Sequence, residues 1–324
     1  MNPPTFTDIV AAREAISEFL PRTPLVRLNK ISEMLQCDYY AKLENLQPTG
    51  AFKVRGGVNL VRNELSATGN GKPIALITAS TGNHGQSIAY AGRLFGARVI
   101  IYAPTENVNE SKIRAMRDLG AEVRLHGRDF DEARLEVERL AQEEGYRYVH
   151  SANEPLLIAG VATASVEILE DLPDVDLIIA PAGGGSCASG ACLAAHELNP
   201  KVRVYAVQSD AAPAVWHAYQ NRSLDPYPTM QTAHEGLATR VPFELTNKIL
   251  WKDLTDFLLV SDEEINDAIR ILARDAKQVA EGAGAASLAG AIKLREQLRG
   301  KKVVGILTGG NIPPHRFAKL LAAH

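Results

Sequence analysis

Cysteine is scarce in this 324-residue sequence, and the three that occur, Cys37, Cys187 and Cys192, include no C-x-x-C pair. Neither a disulfide framework nor a cysteine-rich zinc site is therefore indicated. The N-terminus lacks a basic segment followed by an apolar one, and no run approaches the roughly 18 apolar residues that a membrane-spanning helix needs. We expect a cytoplasmic protein that does not bind a membrane.

The sequence also lacks an excess of either charge, because 35 basic residues stand against 38 acidic ones, for a net charge of −3. A nucleic-acid partner is not expected from this balance. Common nucleotide and hydrolase motifs are missing as well. "SATGNGKP" has Ser66 and Pro73 where a phosphate-binding P-loop needs Gly and Ser or Thr, and no H-E-x-x-H or G-x-S-x-G occurs. A small-molecule ligand is the better expectation.

What the sequence does contain is an alternation of strands and helices. Segments with helical periodicity lie between most of the short runs rich in β-branched residues, which favours parallel sheets covered on both faces, an α/β fold. The predicted helices span 84–95, 109–119, 129–144 and 263–280. The predicted strands span 38–44, 73–80, 97–104, 121–127, 176–185, 202–208, 256–261 and 302–310.

Two segments suggest a division into two units. "ATGNGKP" at 67–73 has the composition of a linker, and "YVHSANEP" at 148–155 follows a strongly helical acidic block. We predict a smaller α/β domain over 69–147 and a larger one built from 1–68 and 148–324. A ligand is expected in the cleft between them.

The stretch "LQPTGAFKVRGG" at 46–57 places one lysine, Lys53, after a turn and at the start of a helix near Phe52 or Lys53. A lysine there is most often a solvated first-turn residue. At a helix start, however, the helix dipole and desolvation can lower the amine pKa and make it a usable nucleophile. The residues alone leave both interpretations open.

"ITASTGNHGQ" runs a strand into a loop and then into a helix. The free backbone N–H groups at that helix start, together with the Ser80 and Thr81 hydroxyls, would form a receptor for a carboxylate. Plain N-capping is the alternative, because Ser, Thr and Asn favour such positions. Gly82 and Gly85 on either side of Asn83 exceed what a cap requires.

Two further strands end in glycine-rich segments. "LIIAPAGGGS" leads into a helix of small residues, and successive glycines allow main-chain N–H groups to surround a phosphate. A turn chosen for close packing is the alternative there. "VVGILTGGN" places Thr308 at a strand's carboxyl end, where open α/β sheets bind ligands, although a strand ending in a turn would look the same.

Taken together and in this order, the motifs resemble those of the fold type II (β-family) pyridoxal-phosphate enzymes, on the threonine/serine dehydratase and serine racemase branch. The segments "TGAFKVRG", "STGNHGQ", "GGGS" and "LTGGN" are similar to the family patterns T-G-S-F-K-x-R-G, S-x-G-N-H-G-Q, G-G-G-G and S/T-G-G-N. "RTPL" at 22–25 and "EGLATR" at 235–240 extend the similarity to nearly the whole chain. The implied fold is tryptophan-synthase-β-like, with two open, twisted, mostly parallel sheets and helices on both faces. The larger domain would bind pyridoxal 5′-phosphate, and the smaller, mobile one would bind the substrate carboxylate.

The resemblance also implies roles for individual residues. Lys53 would form a Schiff base with the cofactor and act as the catalytic base. The cofactor ring would lie against Phe52. Asn83 would form a hydrogen bond with the ring hydroxyl, and Thr308 would contact the ring nitrogen. Gly236 would also line the cofactor. The phosphate would be bound by Gly183, Gly184, Gly185, Ser186 and Cys187. The substrate carboxylate would be bound by Ser80, Thr81, Gly82 and His84, with Thr239 nearby.

By this resemblance the expected reaction is dehydration of L-threonine and L-serine, an ammonia-lyase reaction that gives a 2-oxo acid and ammonia. A hydroxyl at Thr308, in place of a carboxylate, would leave the ring nitrogen largely unprotonated, which suits elimination better than transamination. The alternatives are a serine racemase, a dehydratase of a bulkier 3-hydroxy amino acid such as a phenylserine or hydroxyaspartate, and a cofactor-binding regulator without activity.

Departures from the family pattern bear on these alternatives. Ala51 stands where many members have Ser, and Ser186 takes the place of the fourth glycine. Thr81 occupies the position of the racemase serine that acts as an acid on the opposite ring face, where its methyl group restricts χ1, so racemisation is less favoured. Gln208 replaces the carboxylate of the racemase metal site, so no metal is predicted there. The family also suggests a homodimer or homotetramer.

Overall fold

The computed structural model describes residues 1–67, 75–106, 109–128 and 130–322. Apart from Ala67, the predicted linker at 67–73 lies outside these residues, and so does the predicted domain boundary at 68–69. In the part of the chain that is described, no helix combines the length and apolar character that crossing a bilayer requires.

Ten strands occur among the described residues, and they include all eight of the predicted runs. The two that the sequence did not indicate, β1 and β6, have three and two residues. The strands are β1 Leu25–Arg27, β2 Asp38–Leu43, β3 Ala75–Ala79, β4 Arg98–Ala103, β5 Glu122–Leu125, β6 Arg147–Tyr148, β7 Leu177–Pro181, β8 Arg203–Ser209, β9 Asp256–Val260 and β10 Lys302–Leu307.

The strands form two sheets. One has six strands in the order β1-β2-β10-β7-β8-β9, and the other has four in the order β5-β4-β3-β6. Every pairing is parallel except that of β1 with β2. The predicted fold class, two mostly parallel sheets in an α/β protein, is confirmed.

The helices cover both faces of the sheets. Among the described residues they are α1 Phe6–Ile16, α2 Asn29–Leu35, α3 Lys53–Ala67, α4 Asn83–Phe95, α5 Glu110–Asp118, α6 Phe130–Glu144, α7 Pro155–Asp171, α8 Ser186–Leu198, α9 Ala214–Asn221, α10 Glu244–Asp253, α11 Asp262–Ile271, α12 Gly282–Lys293, α13 Arg295–Leu298 and α14 Pro314–Leu321. The helix predicted over 263–280 is shorter than expected. After α11 it continues as a π-helical turn, Leu272–Ala276, and it ends because Lys277 adopts a left-handed conformation with φ 57°.

Strand β7 shows how the six-stranded sheet is buried on both faces. Ile178 and Ala180 pack into the apolar cluster that includes α7 and α8. Leu177 and Ile179, which point the other way, pack into the cluster that includes α11 and α12. All five residues of β7 are buried, which accounts for its unbroken apolar sequence.

The order of the strands determines where a ligand can bind. From β7 the chain moves outward to β8 and β9, and it then returns to place β10 between β7 and β2. The connections after β7 and before β10 therefore run in opposite directions. In open α/β sheets such a reversal leaves a crevice at the carboxyl ends of the strands, and both "AGGGS" and "TGGN" begin there.

A buried ion cluster lies beside the first turn of α3. It consists of Lys42, Glu44, Arg55 and Glu167, each at most 5% exposed. Arg55 contacts Glu44 at 2.8 Å and Glu167 at 2.7 Å, and Lys42 contacts Glu167 at 2.6 Å. Two cations and two carboxylates make the cluster formally neutral. Burial alone would raise the pKa of Glu44, but Arg55 and Lys42 hold that pKa below its ordinary value.

Candidate active site

The turn before Lys53 is attached to the end of β10. Gly50 has φ 68°, a conformation that favours glycine, and its carbonyl accepts a hydrogen bond of 2.9 Å from Gly310 N. Phe52 N donates to the Thr308 carbonyl at 2.9 Å. Two segments more than 250 residues apart in sequence are thereby joined, so that the start of α3 and the "TGGN" segment form one side of the crevice.

The Lys53 side chain reaches across this crevice. Its Nζ donates to Ser186 Oγ at 2.8 Å and to the Ser151 carbonyl at 3.2 Å. Burial lowers the pKa of Lys53 to about 8. An amine with this pKa is partly neutral near pH 8, so it can act as a nucleophile or a base without assistance from a second base.

The glycine loop after β7 presents free backbone donors to the same crevice. Among the described residues, the N–H groups of Gly183 to Cys187 have no hydrogen-bond acceptor. Gly185 has φ 90°, and a Cβ atom at Gly183 would lie 2.2 Å from the Gly236 carbonyl oxygen. Thr246 Oγ1 fixes the loop by donating to Gly184 O at 2.8 Å. These N–H groups at the start of α8 form a receptor for an anion such as a phosphate.

Two side chains of this loop have polar atoms, those of Ser186 and Cys187. Ser186 begins α8 and is buried, and its hydroxyl oxygen accepts a hydrogen bond from Lys53 Nζ. Cys187 is also buried, and burial raises the pKa of its thiol to about 12, so the group is neutral. The loop therefore carries no charged side chain of its own against an anion.

The loop between β3 and α4 forms a second set of free donors. The Ser80 hydroxyl accepts hydrogen bonds from Gly82 N at 3.1 Å and Gly85 N at 2.8 Å, so it shapes the loop from within. The N–H groups of Thr81, Asn83 and His84 have no acceptor among the described residues. These three groups suit a carboxylate.

His84 is buried beneath this loop. Thr78 Oγ1 donates to the Val149 carbonyl at 2.7 Å and lies 2.9 Å from His84 Nε2. Because the single hydroxyl proton is used on Val149, Nε2 is the protonated nitrogen and donates to Thr78. Burial lowers the pKa of His84 to about 3, so the ring is neutral. Its Nδ1 is buried and has no hydrogen-bond partner among the described residues.

Asn83 links the two sheets. Its side-chain Nδ2 donates to Glu281 Oε1, and its Oδ1 accepts from Asn311 Nδ2 at 2.8 Å. Burial raises the pKa of Glu281, whose second oxygen lies 3.8 Å from Lys112 Nζ. Lys112 in turn forms a 2.7 Å ion pair with Glu235. These contacts join the starts of α4 and α5 to the six-stranded unit.

Thr308 follows β10 directly and is 3% exposed. Its carbonyl accepts from Phe52 N, but its Oγ1 is buried and has no hydrogen-bond partner among the described residues. A buried hydroxyl without a partner is costly, and a ligand with a polar atom at this point would remove that cost.

Gly236 packs against the glycine loop, and Thr239 follows it three residues later in the chain. Gly236 lies in the 3₁₀ turn Glu235–Leu237, with its carbonyl against Gly183. Thr239 is 9% exposed. Contacts thus join Lys53 to the glycine loop, Asn83 to the "TGGN" segment and Gly236 to Gly183, while the roles of the individual residues remain predictions.

Several residues near the candidate site were not identified from the sequence. His150 is the main one. Its Nδ1 accepts from Ala152 N at 3.1 Å and from Asn153 N at 3.0 Å, and its ring packs edge-on against Phe243 with the centroids 4.8 Å apart. Burial lowers the pKa of His150 to about 4. It follows β6, a strand of two residues without an apolar run, so no sequence pattern marked it.

Comparisons with known proteins agree with this geometry. The family model for "pyridoxal-phosphate dependent enzyme" matches residues 16–309. An L-threonine ammonia-lyase of Thermotoga maritima is 36% identical over 98% of this chain and 78% of its own length. Threonine deaminase isoform 2 of Solanum lycopersicum superposes with a TM-score of 0.91 at 27% identity, covering 100% of this chain and 96% of the other. A pyridoxal 5′-phosphate-dependent aspartate racemase superposes with a TM-score of 0.91 at 29% identity and covers 98% of both chains.

Proposed function

This chain belongs to the family of pyridoxal-phosphate-dependent enzymes, and we propose that it is a dehydratase, or ammonia-lyase, of L-threonine and L-serine. One observation carries the proposal. The Lys53 amine, with its lowered pKa, contacts Ser186 in a glycine loop whose free N–H groups suit a phosphate, and the loop between β3 and α4 has free N–H groups that suit a carboxylate. The 36% identity with a threonine ammonia-lyase supports the same reaction.

The residues of the crevice fit pyridoxal 5′-phosphate. Lys53 supplies an amine for the aldehyde, and Gly183 to Cys187 supply N–H groups for the phosphate. The buried hydroxyl of Thr308, which lacks a partner among the described residues, would receive the ring nitrogen. Asn83 would bind the ring hydroxyl, with Phe52 and Gly236 lining the cofactor.

When bound, the cofactor withdraws electrons from the α-carbon of the substrate and so makes its α-proton acidic. The other tasks belong to the chain. The N–H groups of Thr81, Asn83 and His84 bind and orient the substrate carboxylate. Lys53 Nζ would take the α-proton and return it to the β-hydroxyl, which would leave as water, and hydrolysis of the remaining enamine by a second water would give a 2-oxo acid and ammonia. Ser80 shapes the carboxylate loop, and Thr239, which is 9% exposed, is proposed to lie near the substrate.

A panel of amino acids tests this proposal. We expect the purified protein, loaded with pyridoxal 5′-phosphate, to release ammonia and 2-oxobutanoate from L-threonine and pyruvate from L-serine. Phenylserine and hydroxyaspartate belong in the panel because bulkier 3-hydroxy amino acids are the nearest alternatives. A loaded protein that releases ammonia from none of these would favour a regulator over an enzyme and reject the proposal.

Racemisation is the second candidate function, and the likeness to an aspartate racemase is the observation that favours it. It requires an acid on the face opposite Lys53, and Thr81 stands in the loop that would supply one. We expect Thr81→Ser to raise any racemase activity, because serine lacks the methyl group that restricts χ1. Chiral chromatography of serine after incubation with the original chain and the variant measures this. No D-serine from either protein would exclude the racemase function.

Covalent capture of the cofactor should depend on pH, because only the neutral Lys53 amine attacks an aldehyde. With a pKa lowered to about 8, we expect the rate to rise through pH 8 and to level off above it. Below this value the rate should fall about tenfold per pH unit, since the neutral fraction does. Stopped-flow absorbance after mixing cofactor-free protein with pyridoxal 5′-phosphate measures the rate. A midpoint near the ordinary lysine pKa would show that Lys53 is not the desolvated amine described here.

We further propose the domain division 1–68 with 148–324 and 69–147, a cytoplasmic location, no structural metal and a homodimer or homotetramer. Gln208 supports the absence of a metal, because its Oε1 accepts from Val215 N at 3.1 Å and Trp216 N at 3.0 Å, contacts that a cation would oppose. Light scattering of the loaded protein, with and without a chelator, measures the oligomeric state and its dependence on metal.

A further inference from the structure

The Lys53 amine has two hydrogen-bond acceptors among the described residues, Ser186 Oγ and the Ser151 carbonyl. The contact with Ser186 is the shorter, at 2.8 Å against 3.2 Å. Ser186 is 4% exposed and is fixed at the first position of α8. The family pattern places glycine there, so the hydroxyl is a feature of this chain.

Two acceptors determine where the lone pair of a neutral amine points. A neutral lysine has two N–H bonds and one lone pair in a roughly tetrahedral arrangement. If Ser186 and Ser151 each accept one N–H, the lone pair takes the remaining direction. If either acceptor is lost, the amine can rotate about its terminal bond, and the lone pair is no longer fixed.

We propose that Ser186 is a positioning residue for Lys53: its hydroxyl binds the free amine and directs the lone pair toward the substrate α-carbon. This inference rests on the proposed function, and it assigns to Ser186 a role other than phosphate binding. In the reaction, the Cα–H bond breaks as a new N–H bond forms, and the amine becomes an ammonium group. Two of the three N–H bonds stay on Ser186 and Ser151, and the third faces the substrate.

The same contact affects the acidity of Lys53. The Ser186 hydroxyl accepts a hydrogen bond from the ammonium form and stabilises it, whereas burial has the opposite effect. Removal of the hydroxyl should therefore lower the pKa of Lys53 further. One hydrogen bond to a charged donor corresponds to a decrease of roughly one pH unit.

Capture of two aldehydes by the cofactor-free protein tests the proposal. Pyridoxal 5′-phosphate uses both the amine and the phosphate receptor, whereas pyridoxal lacks the phosphate and reports on the amine alone. The variants are Ser186→Ala and the conservative Ser186→Thr, which keeps a hydroxyl. Ser189→Ala is the matched control, because Ser189 is buried in the same helix and donates to Thr246 O, not to Lys53.

For Ser186→Ala we expect the pH midpoint of pyridoxal capture to fall from about 8 by roughly one unit. Ser186→Thr should restore the midpoint, and Ser189→Ala should leave it unchanged. In the loaded enzyme, Ser186→Ala should lower kcat for L-threonine about tenfold with little change in KM, because the affected step is proton removal, not binding.

Two results would overturn the inference. One is an unchanged pyridoxal midpoint in Ser186→Ala. The other is a Ser186→Ala variant in which the only change is a weaker affinity for pyridoxal 5′-phosphate. That result would limit the role of Ser186 to binding the phosphate. Failure of the proposed function looks different, since the original chain would then capture neither aldehyde at Lys53 or would release no ammonia from any amino acid.

Discussion

Lys53→Ala is expected to lower kcat for L-threonine dehydration by about 10⁴-fold or more. The reason is that one amine performs two tasks, covalent attachment of the cofactor and removal of the α-proton. The removed side chain contacts Ser186 and Ser151 and forms no ion pair with any residue that the structure describes, so we expect the fold to persist. Ammonia release measures activity, the absorbance of bound cofactor measures attachment, and circular dichroism measures folding.

A matched control separates this effect from a general loss of lysine charge. Lys252→Ala removes a lysine whose side chain is 69% exposed, and it should leave kcat and cofactor attachment as they are. Borohydride reduction of the loaded original chain should label the peptide that contains Lys53. Full activity in Lys53→Ala, or a label on another peptide, would contradict the assignment.

Much of the fold follows from local sequence patterns. Buried strands such as β7 are unbroken apolar runs, and short runs rich in β-branched residues predicted eight strands with ends within a few residues. Strands β1 and β6 were missed because two or three residues carry no periodicity, and they exist through pairing with β2 and β3. The end of the helix at Lys277 was missed for a different reason, since a left-handed non-glycine residue has no clear sequence signal.

The site divides in a similar way. The glycine loop and the Ser80–Gly85 loop were recognisable because the binding proposed for them depends on backbone N–H groups, which only certain residue types expose. The partners of Lys53 were not recognisable. Ser186 and Ser151 lie 133 and 98 residues from it, and only the packing of α3 against α7 and the glycine loop brings them together. At Gly160 on α7 a Cβ atom would lie 2.5 Å from the Arg55 carbonyl, so this close approach requires glycine.

The largest expected effect on stability comes from the ion cluster two residues beyond Lys53. We expect Arg55→Met to lower the free energy of unfolding by about 3–5 kcal/mol, because it leaves Glu44 and Glu167 buried with only Lys42 as a cation. Methionine retains most of the side-chain volume, so the loss reflects charge more than a cavity. Denaturant unfolding of the cofactor-free protein measures it.

The pH dependence identifies the cause. In the original chain the pKa of Glu44 is held low, so its contribution to stability is present above the ordinary glutamate pKa and is lost as the pH falls through the folded-state value. In Arg55→Met burial dominates, and the folded-state pKa of Glu44 should rise above the unfolded value. The loss of unfolding free energy in the variant, relative to the original chain, should therefore be larger at pH 7 than at pH 5, because protonation at the lower pH neutralises the buried carboxyl group.

Two comparisons complete this prediction. Adding Glu44→Gln to Arg55→Met removes the excess carboxylate, so the double variant should be less destabilised than the sum of the two single variants. Arg139→Met removes an arginine of the exposed pairs with Glu136 and Glu143, and it should change the unfolding midpoint very little. Two results would contradict this prediction: a loss of unfolding free energy in Arg55→Met as small as that in Arg139→Met, or a loss that does not depend on pH. The ion cluster would then not fix the start of α3. The position of the Lys53 amine would have to depend on the packing of α3 against α7 alone.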